Sequence, residues 1–132
     1  MFRSLFYHLF PAFPREDTAF VAMSFAEAFS SRWENVLAPA IGRVKVNDKA
    51  LAPVRVDARK VSDSILTEIL DGIGRARVVL ADITAHDARG FRGRNGNVMY
   101  EVGLAHAVRL PEEVLLFRSD DQQLLFDVSR SG

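Results

Sequence analysis

Short apolar segments alternate with longer amphipathic stretches from Thr18 onward. Short apolar runs are typical of strands that are buried on both faces of a sheet. They predict four strands, over Thr18–Phe25, Ala52–Asp57, Arg77–Asp82 and Glu113–Phe117. The stretches between them place apolar residues at helical spacing, and they predict helices over Ala28–Ile41, Ser62–Ile73 and Asn97–Val108. Strands joined by helical crossovers form a three-layer α/β/α sandwich around a parallel sheet, here of about four or five strands.

Local signals set the expected ends of these elements. Pro39 is expected to end or bend the first helix, and Ser62 is expected to cap the second. The polar stretch Thr84–Gly96 predicts a loop, and Gln123–Phe126 predicts the start of another strand.

The pattern divides the chain into an N-terminal arm or linker over residues 1–17 and a single domain over residues 18–132. The apolar start is interrupted by His8 and followed by Pro11 and Pro14 rather than by a small-residue cleavage site, which favours an arm over a targeting signal. The chain stops shortly after an apolar run, so we expect the domain to be truncated at its C-terminus.

Composition excludes several classes of function. Seventeen Lys and Arg residues balance seventeen Asp and Glu residues, so we expect neither a nucleic-acid partner nor an anionic membrane partner. The absence of cysteine excludes disulfides, thiolate zinc sites and cysteine nucleophiles, and it is consistent with a cytoplasmic location. His8, His86 and His106 show no metal-ligand spacing, so neither a metal nor a cofactor is implied.

Polar residues stand at the predicted carboxyl ends of three strands. These are Ser24, Asp57 and Asp82. Parallel α/β sheets bind ligands at this edge, near the switch in strand order, which makes the two aspartates candidate site residues. The alternative is that each aspartate caps the turn that follows it.

Glu101 is the only Asp, Glu, Lys or Arg between Val98 and Val108, in an otherwise apolar predicted helix. Burial of a carboxylate is costly unless it is paired, protonated or placed in a cleft. Asn97 lies four residues earlier on the same helical face, so both side chains can point to one site. The alternative is that Glu101 only complements the helix dipole near the N-terminus.

The sequence resembles the nucleoside 2-deoxyribosyltransferase-like superfamily, in particular its bacterial TIR-like nucleotide-binding branch. The resemblance extends over nearly the whole chain from Thr18 and is most specific in Ala81–Thr84 and Asn97–Ala107. Weaker matches are Phe20–Phe25, Val56–Asp57, Ser62–Ile73 and Leu125–Asp127.

The resemblance implies a flavodoxin-like fold and an enzyme that cleaves or transfers the N-glycosidic bond of a nucleoside or nucleotide, with an NAD-like nucleotide among the candidate substrates. Glu101 then takes the role of the carboxylate at the anomeric carbon, and Asp82 and Asp57 contact the sugar or assist departure of the base. Tyr100 also matches, but as the neighbour of Glu101 it faces another way and is expected to pack. The alternative function is a nucleotide-sensing module without turnover, and a third is a purely structural domain.

Phosphate recognition is expected at two places. Backbone N–H groups of Met23, Ser24 and Phe25, before the first helix, form one candidate site. The segment between Asp82 and Asn97 is longer than the family's usual loop, and glycines interleave its arginines Arg89, Arg92 and Arg94. Arginine pairs bidentately with phosphate, so this loop favours a phosphorylated substrate, unless its charges serve only solubility. The aromatic N-terminal segment is a candidate surface for homo-oligomer formation.

Overall fold

The computed structural model describes residues 15–57, 63–88, 91–93 and 95–119. Its strands, in chain order, are β1 (Thr18–Ala22), β2 (Lys45–Val46), β3 (Lys49–Ala50), β4 (Ala52–Val54), β5 (Val78–Asp82), β6 (His86–Ala88), β7 (Phe91–Gly93) and β8 (Val114–Phe117). Helix α1 covers residues 27–42, α2 is Asp63–Arg75, α3 is Gly96–Val108, and a short 3₁₀ turn is Pro111–Glu113. Several predicted features lie outside the described residues, namely the arm before residue 15, Ser62, Arg89, Arg94 and the strand at Gln123–Phe126.

A parallel sheet in the order β4-β1-β5-β8 forms the centre of the described fold. Strand β1 pairs with β4 on one side and with β5 on the other, with Phe20 opposite Val54 and Val79. In chain order the strands of this sheet run 2-1-3-4, which is the flavodoxin-like arrangement, and the strand order reverses between β1 and β5. The predicted parallel sheet and fold class are therefore confirmed.

Alternate residues of each strand point to opposite faces of the sheet, and helices cover both faces. Helices α2 and α3 pack on one face, in a core that contains Phe20, Ala22, Ile69, Ile73, Val79, Ala81, Val98, Val102 and Ala105. Helix α1 packs on the other face, in a core that contains Ala19, Val21, Met23, Phe29, Ile41 and Leu51. These two cores make the predicted three-layer sandwich.

Helix α1 changes its winding along its length. It begins as a 3₁₀ turn (Glu27–Phe29), becomes α-helical (Ser30–Arg32), widens into a π-helical turn (Trp33–Leu37) and ends as an α-helix (Ala38–Gly42). Pro39 has no N–H to donate to the preceding turn, and the widened turn ends at Leu37, two residues before it. The helix nevertheless continues to Gly42, so Pro39 does not end it.

Two antiparallel hairpins were not expected from the hydrophobic pattern. Strands β2 and β3 are joined at Asn47 and Asp48, which have φ values of 53° and 66°, a conformation that Asn and Asp tolerate better than most residues. Strands β6 and β7 pair within Thr84–Gly96, where we predicted only a loop. Both hairpins are too short to show an alternating pattern, which is why periodicity missed them.

The predicted division of the chain at residue 17 stays a prediction, but residues 15–17 contact the domain. The Glu16 N–H donates to the carbonyl of Arg75 at 2.8 Å, and Asp17 pairs with Arg77 at 3.2 Å. The Ala52 N–H donates to the Asp17 carbonyl at 2.9 Å, which ties this segment to the start of β4.

Candidate functional site

Side chains from three connections meet where the strands of the sheet end, at its carboxyl edge. Ser24 follows β1, Arg55 follows β4, and Asn95 precedes α3. Arg55 Nη2 donates to the Ser24 carbonyl at 3.1 Å, and Asn95 Nδ2 donates to Ser24 Oγ at 3.5 Å. Ser24 is thus the point at which the three connections join, beside the reversal of strand order.

Glu101 lies on the first turns of α3 and is only 4% exposed. Burial raises the pKa of its carboxyl to about 8, and the positive charge of Arg55 opposes that rise. Its Oε2 atom is buried without a hydrogen-bond partner among the described residues. Burial of a carboxyl oxygen without a hydrogen-bond partner lowers the stability of the fold. Such an oxygen therefore indicates a position at which a ligand can supply the partner.

Arg55 is held between two aromatic rings. Its guanidinium carbon lies 3.8 Å from the centre of the Phe25 ring and 4.6 Å from the centre of the Trp33 ring. Stacking of this kind is favourable for a guanidinium, and the bond to the Ser24 carbonyl fixes its orientation further. Its Nε is buried and has no hydrogen-bond partner among the described residues.

The charges around Arg55 connect two predicted site residues. Burial lowers the pKa of Arg55 from its ordinary value, while Asp57 and Glu101 both raise it. Asp57 is half-buried after β4. The structure therefore brings Glu101 and Asp57 to the same cation.

Helix α3 begins one residue before the predicted start. Asn95 is its N-cap, and Asn95 Oδ1 accepts a hydrogen bond from the Val98 N–H at 3.0 Å. Asn97 is half-buried in the first turn, four residues before Glu101, as expected. Tyr100, expected to pack, is instead 51% exposed, so that expectation was wrong.

Asp82 ends β5 and lies in a separate hydrogen-bond network. Its side chain is fully buried, and Oδ2 pairs with Arg32 Nη1 at 2.5 Å. Oδ1 accepts hydrogen bonds from the N–H and the hydroxyl of Thr84. Ser119, after β8, accepts from Arg32 Nη2 at 3.0 Å and joins the network to the neighbouring strand. The role of Asp82 with sugar or base stays a prediction, since both of its oxygens already have protein partners.

The segment Met23–Phe25 is placed at the carboxyl edge, as expected. Met23 is buried in the core under α1, and Phe25 stacks on Arg55. Ser24 Oγ accepts from the Ala26 N–H at 3.0 Å, so that N–H already has a partner before α1. Glu27 lies in the first turn of α1, where its negative charge disfavours an anion. Phosphate binding here stays a prediction.

The arginine-rich loop is only partly described. The backbone of Arg92 lies in β7, its side chain is outside the described part, and Arg94 lies outside altogether. The phosphate role of both arginines stays a prediction.

Sequence reasoning missed Arg55, Arg32 and Asn95. Asn95 carries a signal that was available, because Asn before an apolar helical stretch is typical of an N-cap. No sequence signal distinguishes Arg55 or Arg32, because a single arginine after a strand or on a helix is usually a surface residue.

The described residues contain no group of three or more His, Cys, Asp or Glu side chains arranged to hold a metal ion. None of the helices in that part of the chain is long and apolar enough to cross a membrane.

Comparison with known proteins shows a likeness in fold. A scan against protein-family models finds no match, and a search of curated proteins finds none either. Among solved structures, the chain resembles 2-desoxiribosyltransferase from Leishmania mexicana, with a TM-score of 0.54 and 17% sequence identity. The chain shares its fold with that transferase. The match covers 81% of this chain and 66% of the transferase, so the chain spans slightly less than two thirds of that protein's length. The likeness agrees with the fold that the family resemblance implied.

Proposed function

We propose that this domain binds a nucleoside or nucleotide at the carboxyl edge of its sheet and cleaves or transfers the N-glycosidic bond, with Glu101 at the anomeric carbon. The observation that supports it best is the Glu101 carboxyl, which is buried with one oxygen free of partners. The similar fold of a deoxyribosyltransferase and the motif Asn97–Ala107 around Glu101 also support it.

In the proposed step, a carboxylate oxygen of Glu101 forms a bond to C1′ of the sugar as the bond between C1′ and the base nitrogen breaks. The electron pair of the broken bond goes to the base, which takes up a proton. Water or a second base then attacks C1′, and Glu101 leaves as a carboxylate. Only the ionised carboxyl can attack, so the raised pKa of Glu101 means that the free protein must lose a proton first.

The remaining predicted site residues take supporting roles in this proposal. Asp57, whose charge acts on Arg55, and Asn97, on the same helix as Glu101, contact the sugar or base in this proposal. Asp82 contacts the ligand if it exchanges one of its present partners, Arg32 or Thr84. The loop with Arg92 and Arg94, together with the N–H groups near Ser24, takes the phosphate of a nucleotide.

The test is a Glu101→Gln variant, which keeps the shape of the side chain but has no nucleophilic carboxylate. We expect it to release free base from ribo- and deoxyribonucleosides, their 5′-phosphates or NAD at least about 100-fold more slowly than the unmodified protein, measured by chromatography. The matched control is Glu68→Gln on an exposed position of α2, which should leave the rate unchanged.

Each outcome of this test has a distinct meaning. Equal rates for Glu101→Gln and the unmodified protein exclude Glu101 as the reacting group. A ligand that raises the melting temperature without release of free base indicates the nucleotide-sensing module instead of the enzyme.

A further inference from the structure

Two buried polar atoms of opposite character at the carboxyl edge have no hydrogen-bond partner among residues 15–57, 63–88, 91–93 and 95–119. Arg55 Nε is a hydrogen-bond donor, and Glu101 Oε2 is an acceptor when the carboxyl is ionised. Each is costly to leave unpaired, and the two side chains interact electrostatically. A bound group that accepts one hydrogen bond and donates another satisfies both atoms together. A hydroxyl group has this property.

The arginine is fixed before any ligand arrives. The rings of Phe25 and Trp33 hold its guanidinium, and the Ser24 carbonyl accepts from Nη2. Arg55 therefore presents a charged N–H from a plane that these three contacts fix. Charged hydrogen bonds are stronger than neutral ones, so this donor suits recognition of one ligand atom.

The proposed reaction identifies which hydroxyl this is, so the inference rests on the proposed function. When one oxygen of Glu101 is bonded to C1′, the other oxygen lies beside the atoms attached to C1′. The ring oxygen of the sugar accepts hydrogen bonds but cannot donate to a carboxylate. The 2′-hydroxyl does both, and carboxylates at sugar C1 positions gain from contacts with this hydroxyl in the transition state.

We infer that Glu101 Oε2 and Arg55 Nε bind the 2′-hydroxyl of a ribose, so that the domain acts on ribonucleosides or ribonucleotides in preference to 2′-deoxy compounds. A 2′-deoxyribose leaves both atoms buried without a partner. The site therefore differs in sugar preference from the transferase of similar fold, whose name specifies a desoxyribosyl group.

The test compares four ribonucleosides with their 2′-deoxy counterparts, each with and without a 5′-phosphate. We expect kcat/KM for the ribo compound to exceed that for the deoxy compound by roughly 10- to 100-fold, as for loss of one or two hydrogen bonds to charged groups. Arg55→Met keeps most of the apolar stem but removes every donor, and it should reduce this ratio by about tenfold or more. Since the ratio compares two substrates on one protein, a general loss of activity cancels.

Two further variants separate the hydrogen bond from the charge and from general effects. Arg55→Lys keeps the positive charge but has no Nε donor at this position, so the ratio should fall while the pH dependence of the rate stays near that of the unmodified protein. Arg55→Met should move the rise of the rate to higher pH, because Arg55 lowers the pKa of Glu101. The control is Arg43→Met, the same change at an exposed residue directly after α1. It should alter neither the substrate ratio nor the pH dependence of the rate.

The outcomes distinguish this inference from the proposed function. If deoxy compounds react as fast as ribo compounds and Glu101→Gln is inactive, the reaction stands and the assignment of the hydroxyl is wrong. An unchanged ratio in Arg55→Met also contradicts it. If no compound releases base, the proposed reaction fails, and calorimetric binding of the same pairs decides the hydroxyl. Tighter binding of ribo compounds that Arg55→Met abolishes supports it, whereas equal binding or none overturns it.

Discussion

Two carboxyl groups are buried at the carboxyl edge of the sheet, and their surroundings differ. Asp82 receives hydrogen bonds from Arg32 and from Thr84, so both of its oxygens have partners. Within the described part of the chain, Glu101 Oε2 has no hydrogen-bond partner, and Arg55 acts on this carboxyl only through its charge. Since burial is common to both, the missing partner is what distinguishes Glu101 from Asp82, and it is the reason that we propose Glu101 as the group that contacts a ligand.

The raised pKa of Glu101 predicts how stability depends on pH. Between the ordinary value of 4.5 and about 8, the folded protein holds a proton that the unfolded chain has released. The free energy of unfolding therefore falls as pH rises through this range and levels off above it. Glu101→Gln cannot titrate, so it should become more stable than the unmodified protein by an increasing margin from pH 5 to pH 9, of about a few kcal/mol at most.

Urea unfolding of both proteins across this pH range measures the effect. Glu68→Gln, at an exposed position, should follow the pH dependence of the unmodified protein. A stability difference between Glu101→Gln and the unmodified protein that is the same at every pH would show that Glu101 is ionised in the folded state throughout.

At the scale of elements, α2 packs closely on β1, the strand that leads to the carboxyl edge. Gly72 lies in the last turn of α2. A Cβ built there would lie 2.8 Å and 2.9 Å from the ring of Phe20, which is fully buried in β1. The glycine thus allows the helix to approach β1, the strand that leads into Ser24.

A pair of glycine substitutions tests this close approach. Gly72→Ala should lower the free energy of unfolding by about 1–3 kcal/mol, because the added methyl group overpacks the core against Phe20. Gly103→Ala, on an exposed position of α3 with no atom within 4 Å of the added Cβ, should instead raise it by about 0.5–1 kcal/mol. Chemical denaturation of both variants gives the two values, and a stabilising Gly72→Ala would contradict the packing.

At the scale of the whole molecule, the amino edge of the sheet, opposite the proposed site, is held together by the hydrogen bonds of one arginine. Arg109 follows α3, and its side chain is only 2% exposed. Its Nη1 donates to the carbonyls of Ile73 at 2.7 Å and Ala76 at 2.6 Å, and its Nε donates to Glu113 at 3.0 Å. The end of α2, the start of β5 and the turn before β8 are thus joined through one guanidinium.

Arg109 predicts a large stability effect far from the site. Arg109→Met leaves buried carbonyls at the end of α2 without their donor, and it should lower the free energy of unfolding by roughly 3–5 kcal/mol. Arg43→Met, at an exposed position, should leave it nearly unchanged. Thermal and urea unfolding measure both. An effect of Arg109→Met as small as that of the control would mean that water replaces the guanidinium at these carbonyls.

The contrast between the two edges connects stability with function. At one edge, every nitrogen of the Arg109 guanidinium donates to a protein oxygen. At the other edge, Arg55 Nε and Glu101 Oε2 are buried without partners among the described residues. Unpaired groups of this kind are tolerated where a ligand supplies the partners, which supports our proposal of a site at the carboxyl edge.

The sequence by itself determined the parallel sheet, the succession of its strands and of the three helices, and the burial of Glu101, but not the two short hairpins. The strands and helices follow from the spacing of hydrophobic residues, and the burial of Glu101 follows from its position in an otherwise apolar helix. Both patterns are local properties of the chain. The tertiary structure decided which polar side chains meet at the site. Arg55 and Glu101 are far apart in sequence, and only the order β4-β1-β5 places the end of β4 beside Ser24. A hydrogen-bond partner depends on distance in space, which hydrophobic periodicity does not encode.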